Sequence, residues 1–154
     1  MLKLKSNSAS ETVKFGKIFS QVLEGKDVVV LAGALGGGKT TFARGLLAGL
    51  GYKGRVLSPS FTLLRQYELK NIAVYHLDLY RLKFSDIFDL GIDDFLYSDK
   101  IITLIEWGSK IEDELDKYIR LEFRFSGQNV RDIRFSIKGY PQQKLDSIKK
   151  VYKL

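Results

Sequence analysis

The residues best equipped for chemistry lie in one short run, Gly33-Ala34-Leu35-Gly36-Gly37-Gly38-Lys39-Thr40, which fits G-x-x-x-x-G-K-[ST] at every required position. After Gly33, the glycine-rich stretch Leu35, Gly36, Gly37 and Gly38 lets several backbone N–H groups turn toward one phosphate group. Lys39 is expected to bridge the β- and γ-phosphates of a nucleotide, and the Thr40 hydroxyl to ligate Mg²⁺. Such a loop needs acidic partners to complete the metal site and to place the attacking water. Two carboxylates qualify. Asp78 ends the apolar stretch AVYHLD, and Glu106 ends IITLIE. The period-two geometry of a strand puts His76, Asp78 and Tyr80 on one face. The C-terminal edge reached by Glu106 is where open α/β sheets place their ligands. Ser58-Pro59-Ser60-Phe61-Thr62 adds three hydroxyls around a stiff turn, free to reach a metal, a water or a phosphate.

These groups need elements to hold them. Val28–Leu31 reads as a strand buried on both faces, and Thr40–Leu50 as the helix behind the loop, ended by Gly51. Upstream, Met1–Lys5 alternates as a short strand. The segment after it carries an apolar stripe of Val13, Phe15, Ile18, Val22 and Leu23, a helix capped by Ser8 or Ser10 and ended at Gly25. Phe61–Tyr67 and Ile72–Leu79 read as paired strands, and Ile101–Ile105 as a second fully apolar strand. Short helical turns broken at Gly91 fill Ser85–Tyr97. Ile119–Phe125 and Arg131–Ile137 form a hairpin, and a basic helix occupies about 141–154. The alternation predicts an α/β chain with three layers and a mixed, mostly parallel central sheet.

At 154 residues, with 45% hydrophobic and 28% charged side chains, the sequence predicts one globular domain spanning 1–154. No apolar run approaches the ~20 residues of a membrane span. The N-terminal MLKLKSNSASETVKFG lacks the apolar centre of a signal peptide. The absence of cysteine excludes disulfides, thiolate metal sites and cysteine nucleophiles, and accords with a cytoplasmic setting. A net charge of +7 points to anionic partners or to a solvated lysine-rich surface. Lys138, Lys144, Lys149, Lys150 and Lys153 of the tail could touch tRNA, although a solvated helix face explains them more simply. No heptad, internal repeat or RNA-recognition signature is present. The guanine readers N-K-x-D and T-K-x-D are absent, which favours ATP. The residues alone leave three functions open: an ATPase, a small-molecule or nucleotide kinase, and a nucleotide-gated binding module.

GALGGGKTTFARGLLAGLG, SPSFTL, VYHLDLYRL, Asp89-Leu90-Gly91 and LIEW, in that order and spacing, closely resemble the TsaE (YjeE) family over roughly Leu31 to Trp107. The resemblance implies a P-loop NTPase fold and a small bacterial ATPase required for threonylcarbamoyladenosine in tRNA. The family ATPase docks on the TsaB–TsaD heterodimer, chiefly TsaD. It meets tRNA only through that complex, and its hydrolysis of ATP resets the complex for further turnovers. Carried onto this chain, Gly36, Gly38, Lys39 and Thr40 hold the phosphates and Thr41 matches a threonine at the loop's end. Thr40 and Glu106 serve Mg²⁺, and Asp78 is a metal-shell or catalytic acid. Trp107 follows Glu106 as in the family, and Ser10 and Arg131 correspond to contacts at the adenine end. The family usually carries Asp at position 34 and Ala at position 37. This chain has Ala34 and Gly37, and the added glycine raises the ordering cost by ~0.5–1 kcal/mol.

Overall fold

The computed structural model describes residues 1–154. Seven strands form one sheet in the order β1-β7-β6-β2-β5-β4-β3. They are β1 (Leu2–Ser6), β2 (Val28–Gly33), β3 (Leu64–Glu68), β4 (Ala73–Asp78), β5 (Ile101–Glu106), β6 (Tyr118–Phe125) and β7 (Arg131–Lys138). The central strands β6, β2, β5 and β4 run parallel; β3, β7 and β1 join by antiparallel pairing at the flanks. The sheet is therefore mixed, with five strands (β1, β6, β2, β5 and β4) pointing the same way.

The apolar runs β2 and β5 sit inside the sheet because both of their faces are covered. Val29 and Leu31 of β2 and Ile102 and Leu104 of β5 face one core. Its other side comes from α1 (Ala9–Phe19), α2 (Lys39–Gly49) and α4 (Gln142–Tyr152), through Phe19, Phe42, Leu46 and Ile148. Val28, Val30 and Ile105 face a second core closed by α3 (Phe84–Ile87) and short 3₁₀ turns, through Ile87, Ile92, Phe95 and Ile111. The three layers are thus unequal, with long helices on one side and single turns on the other.

Most expected elements are present with shifted ends. α1 stops at Phe19 and one 3₁₀ turn, Ser20–Val22, carries the chain on. Ser8, not Ser10, caps α1: its Oγ accepts from the Glu11 N–H at 3.1 Å. The strand expected from Phe61 begins only at Leu64. The amides of Thr62 and Leu63 both donate back to the Pro59 carbonyl, and Leu63 takes a left-handed φ of 64°, so the turn consumes the first residues of that strand. No helix is long and apolar enough to cross a membrane.

Candidate functional site

The phosphate-type loop leaves β2 and enters α2 at the C-terminal edge of the parallel strands. Gly38, at the start of α2, has φ 103°, a left-handed value that an L side chain would strain. No side chain caps this end, so the positive terminus and its orphan N–H groups face the loop. The sheet register then sets the two acids side by side, since Asp78 of β4 pairs with Glu106 of β5, which pairs in turn with Leu31 of β2. A cavity of about 160 Å³ is lined by the loop from Leu35 through Thr41 and by Ser58, Ser60, Asp78, Glu106 and Trp107.

Within it, Thr40 Oγ1 donates to Glu106 Oε1 at 3.0 Å, and His76 Nε2 meets the same oxygen at 3.0 Å. His76 is wholly buried and its Nδ1 has no partner, so Nε2 carries the proton toward the carboxylate. Burial pushes the Glu106 carboxyl up, but the His76 and Thr40 hydrogen bonds and the Lys39 charge outweigh it and leave it below its ordinary value. Lys39 Nζ donates to the carbonyls of Gly33 (2.7 Å) and Ala34 (3.0 Å) and lies 4.5 Å from the centre of the Trp107 ring. Burial lowers the pKa of this ammonium, and Glu106 and Asp78 oppose the shift only in part. Asp78 is held at both oxygens, by Ser60 Oγ at 2.9 Å and by the Tyr80 N–H at 2.9 Å; Ser58 Oγ lies 2.7 Å from Ser60 Oγ.

The residues expected to act together therefore converge. Gly33, Leu35, Gly36, Gly37, Gly38, Lys39, Thr40 and Thr41 form the loop and helix start, and Asp78 and Glu106 face it. Arg131, at the start of β7, reaches the loop from the side: its guanidinium donates to the Gly36 carbonyl at 3.4 Å and stacks on Phe125 at 4.1 Å. Ser10 is exposed in the first turn of α1 and lies outside the cavity wall. Tyr80 lies past the end of β4, so strand alternation does not govern it, and its ring packs on Trp107 at 4.8 Å. Trp107 has a left-handed φ of 60°, a strained value for a bulky residue, and it turns the indole back over Lys39. Phe123 had no signal in the sequence, yet β6 carries it beside Gly33 in register.

Thr40, Glu106 and Asp78 offer a hydroxyl and two carboxylates, the hard oxygen donors that suit Mg²⁺. No group of three or more His, Cys, Asp or Glu side chains gathers to hold a metal by itself. A Mg²⁺ that keeps waters and shares phosphate oxygens needs only one or two protein ligands, so this set fits it.

The sequence model of the family described as threonylcarbamoyl adenosine biosynthesis protein TsaE matches residues 6–133. The chain belongs to the TsaE family. The tRNA threonylcarbamoyladenosine biosynthesis protein TsaE of Treponema pallidum is 38% identical over 134 residues, covering 86% of this chain and 98% of that protein. The TsaE protein of Bacillus subtilis is 33% identical over 139 residues, covering 90% of this chain and 87% of its own. The crystal structure of Bacillus subtilis YdiB superposes with a TM-score of 0.81 at 27% identity, over 99% of this chain and 94% of that one. The fold is accordingly the P-loop NTPase fold that the loop, the parallel strands and the TsaE resemblance anticipate.

Proposed function

We propose that the protein is an ATPase of tRNA threonylcarbamoyladenosine biosynthesis, acting in the cytoplasm, whose hydrolysis of ATP drives turnover of the TsaB–TsaD transferase complex. The observation that carries this reading is the meeting of Lys39, Thr40, Asp78 and Glu106 around one cavity at the sheet's C-terminal edge. A loop that only bound phosphate would not need two in-register carboxylates beside it. Membership of the TsaE family supports the pathway. In this proposal tRNA is met only through the complex.

The roles follow from the contacts. The loop amides from Leu35 to Gly38 and the start of α2 bind and orient the phosphates, with Thr41 at the loop's end. Lys39 exchanges the Gly33 and Ala34 carbonyls for phosphate oxygens and brings charge where the leaving phosphate develops it. Thr40, Glu106 and Asp78 would hold Mg²⁺, which when bound neutralises phosphate charge. Glu106, kept ionised by His76 and Thr40, and Asp78, oriented by Ser60 and Tyr80, place water beside the γ-phosphate. Arg131, stacked on Phe125 beside Gly36, lies on the flank assigned to the adenine end; Ser10 is the weaker contact there.

A reconstituted modification assay tests the proposal. Intact protein with TsaB, TsaD, ATP and tRNA should support many rounds of threonylcarbamoylation, whereas Lys39→Ala should stop after about one. Equal multiple-turnover yield from both proteins would overturn it. Glu106→Ala separates an energy-coupled ATPase, which should fail, from a nucleotide-gated binding module, which should survive while ATP still binds.

A further inference from the structure

Lys110 belongs to no sequence motif. It sits on the 3₁₀ turn Gly108–Lys110 that leaves β5, with its side chain at the surface. Its ammonium nevertheless donates to three backbone carbonyls, Leu79 at 2.7 Å, Tyr80 at 2.8 Å and Leu82 at 2.8 Å. No carboxylate lies within ion-pair distance of it. The three protons of the ammonium thus match three acceptors that all belong to the chain leaving β4.

We infer that Lys110 is a positioning residue for the nucleotide site, clamping the segment after β4 to the segment after β5. Three carbonyl dipoles that converge repel one another unless a cation sits between them, so this lysine braces the turn Leu79–Leu82 beyond its own bond from the Leu82 N–H to the Leu79 carbonyl at 3.1 Å. That turn carries two site contacts. The Tyr80 N–H holds Asp78 Oδ1, and the Tyr80 ring backs Trp107, whose indole lies against Lys39. One surface lysine therefore steadies the Asp78 carboxylate, which Ser60 also holds, and, through two packed rings tilted by 43°, the resting place of Lys39. Arg would serve less well, because a planar guanidinium cannot direct three donors to one convergent set as a tetrahedral ammonium does.

The inference rests on the reading of the site as an ATPase, and the test keeps the two apart. Trp107 is the only tryptophan among eight tyrosines, so fluorescence excited beyond the tyrosine absorption band reports this position alone. Wild type, Lys110→Met and Lys110→Arg are compared first without nucleotide, by emission maximum and quencher access, with circular dichroism confirming the fold. Lys110→Met should move the Trp107 emission to the red and open it to quencher, with Lys110→Arg in between. With Mg-ATP, kcat of Lys110→Met should fall about tenfold while KM changes less than about threefold, and Lys110→Arg should recover part of the loss. Wild-type emission, quenching and kcat in Lys110→Met would overturn the inference. Failure of the wild type to hydrolyse ATP would instead overturn the ATPase reading, and the nucleotide-free fluorescence would still decide the role of Lys110.

Discussion

Thr40 and His76 converge on one oxygen, Glu106 Oε1, each at 3.0 Å, although they come from α2 and β4. The Glu106 side chain is only 4% exposed, so its ionised form depends on these two donors and on Lys39. A buried carboxylate without such partners would take up a proton. The pair of contacts thus links the phosphate loop to the sheet through a charge that must stay in place.

That charge makes stability depend on pH. The folded-state pKa of Glu106 lies below its ordinary value of 4.5, so its contribution is present above that value and is lost as pH falls through the folded one. Glu106→Gln should cost about 1–3 kcal/mol at neutral pH. It should also flatten the decline of stability below pH 4.5. Denaturant unfolding at a series of pH values measures both effects, and parallel profiles for the two proteins would count against the assignment.

Lys39 behaves in the opposite sense. Its pKa is lowered by burial, so the charged lysine costs stability at every pH below the folded value. Lys39→Met should leave the melting temperature of the nucleotide-free protein equal or higher. Nucleotide affinity should fall about a hundredfold or more, as expected for the ~3 kcal/mol upper range of a charge-assisted contact. Calorimetric titration with scanning calorimetry distinguishes this from simple unfolding; a large drop in melting temperature would contradict it.

Gly37 stands where the TsaE resemblance implies alanine, and its surroundings show what the change involves. A Cβ there would stand 2.8 Å from the Ala34 carbonyl oxygen, which already accepts from Gly37 N–H and Lys39 Nζ at 3.0 Å each. Overpacking of ~1–3 kcal/mol should outweigh the ~0.4–1 kcal/mol gained from a less flexible unfolded chain. Gly37→Ala is therefore expected to lower stability by about 1 kcal/mol. A raised thermal midpoint would show that the loop gives way freely.

At the opposite edge of the sheet, Lys144 of α4 donates to Asp27 Oδ2 at 2.7 Å and to the Val22 carbonyl at 2.8 Å, while the Tyr140 hydroxyl donates to Asp27 Oδ1 at 2.8 Å. The paired side chains are 11% and 3% exposed. This lysine fastens the C-terminal helix and is not free for tRNA. Lys144→Met leaves a buried aspartate without its cation and should cost about 3 kcal/mol. Nucleotide affinity should be unchanged; a loss of unfolding free energy under about 1 kcal/mol by urea titration would refute the anchoring role.

The local chemistry follows from neighbouring residues. A glycine-rich loop between an apolar strand and an amphipathic helix can be read from the order of residues, because strand burial, loop flexibility and helix entry are properties of neighbouring positions. Asp78 and Glu106 were legible for the same reason, as carboxylates closing apolar strands, and the ordered motifs carried the TsaE resemblance. Tertiary structure alone decided which groups share an atom. The β4–β5 register set Asp78 beside Glu106, and packing brought His76 and Thr40 to one oxygen. Lys110 found three carbonyls some thirty positions away in the chain. Backbone carbonyls leave no mark in an amino-acid sequence, so neither that clamp nor the rings it supports could be read before the chain was folded.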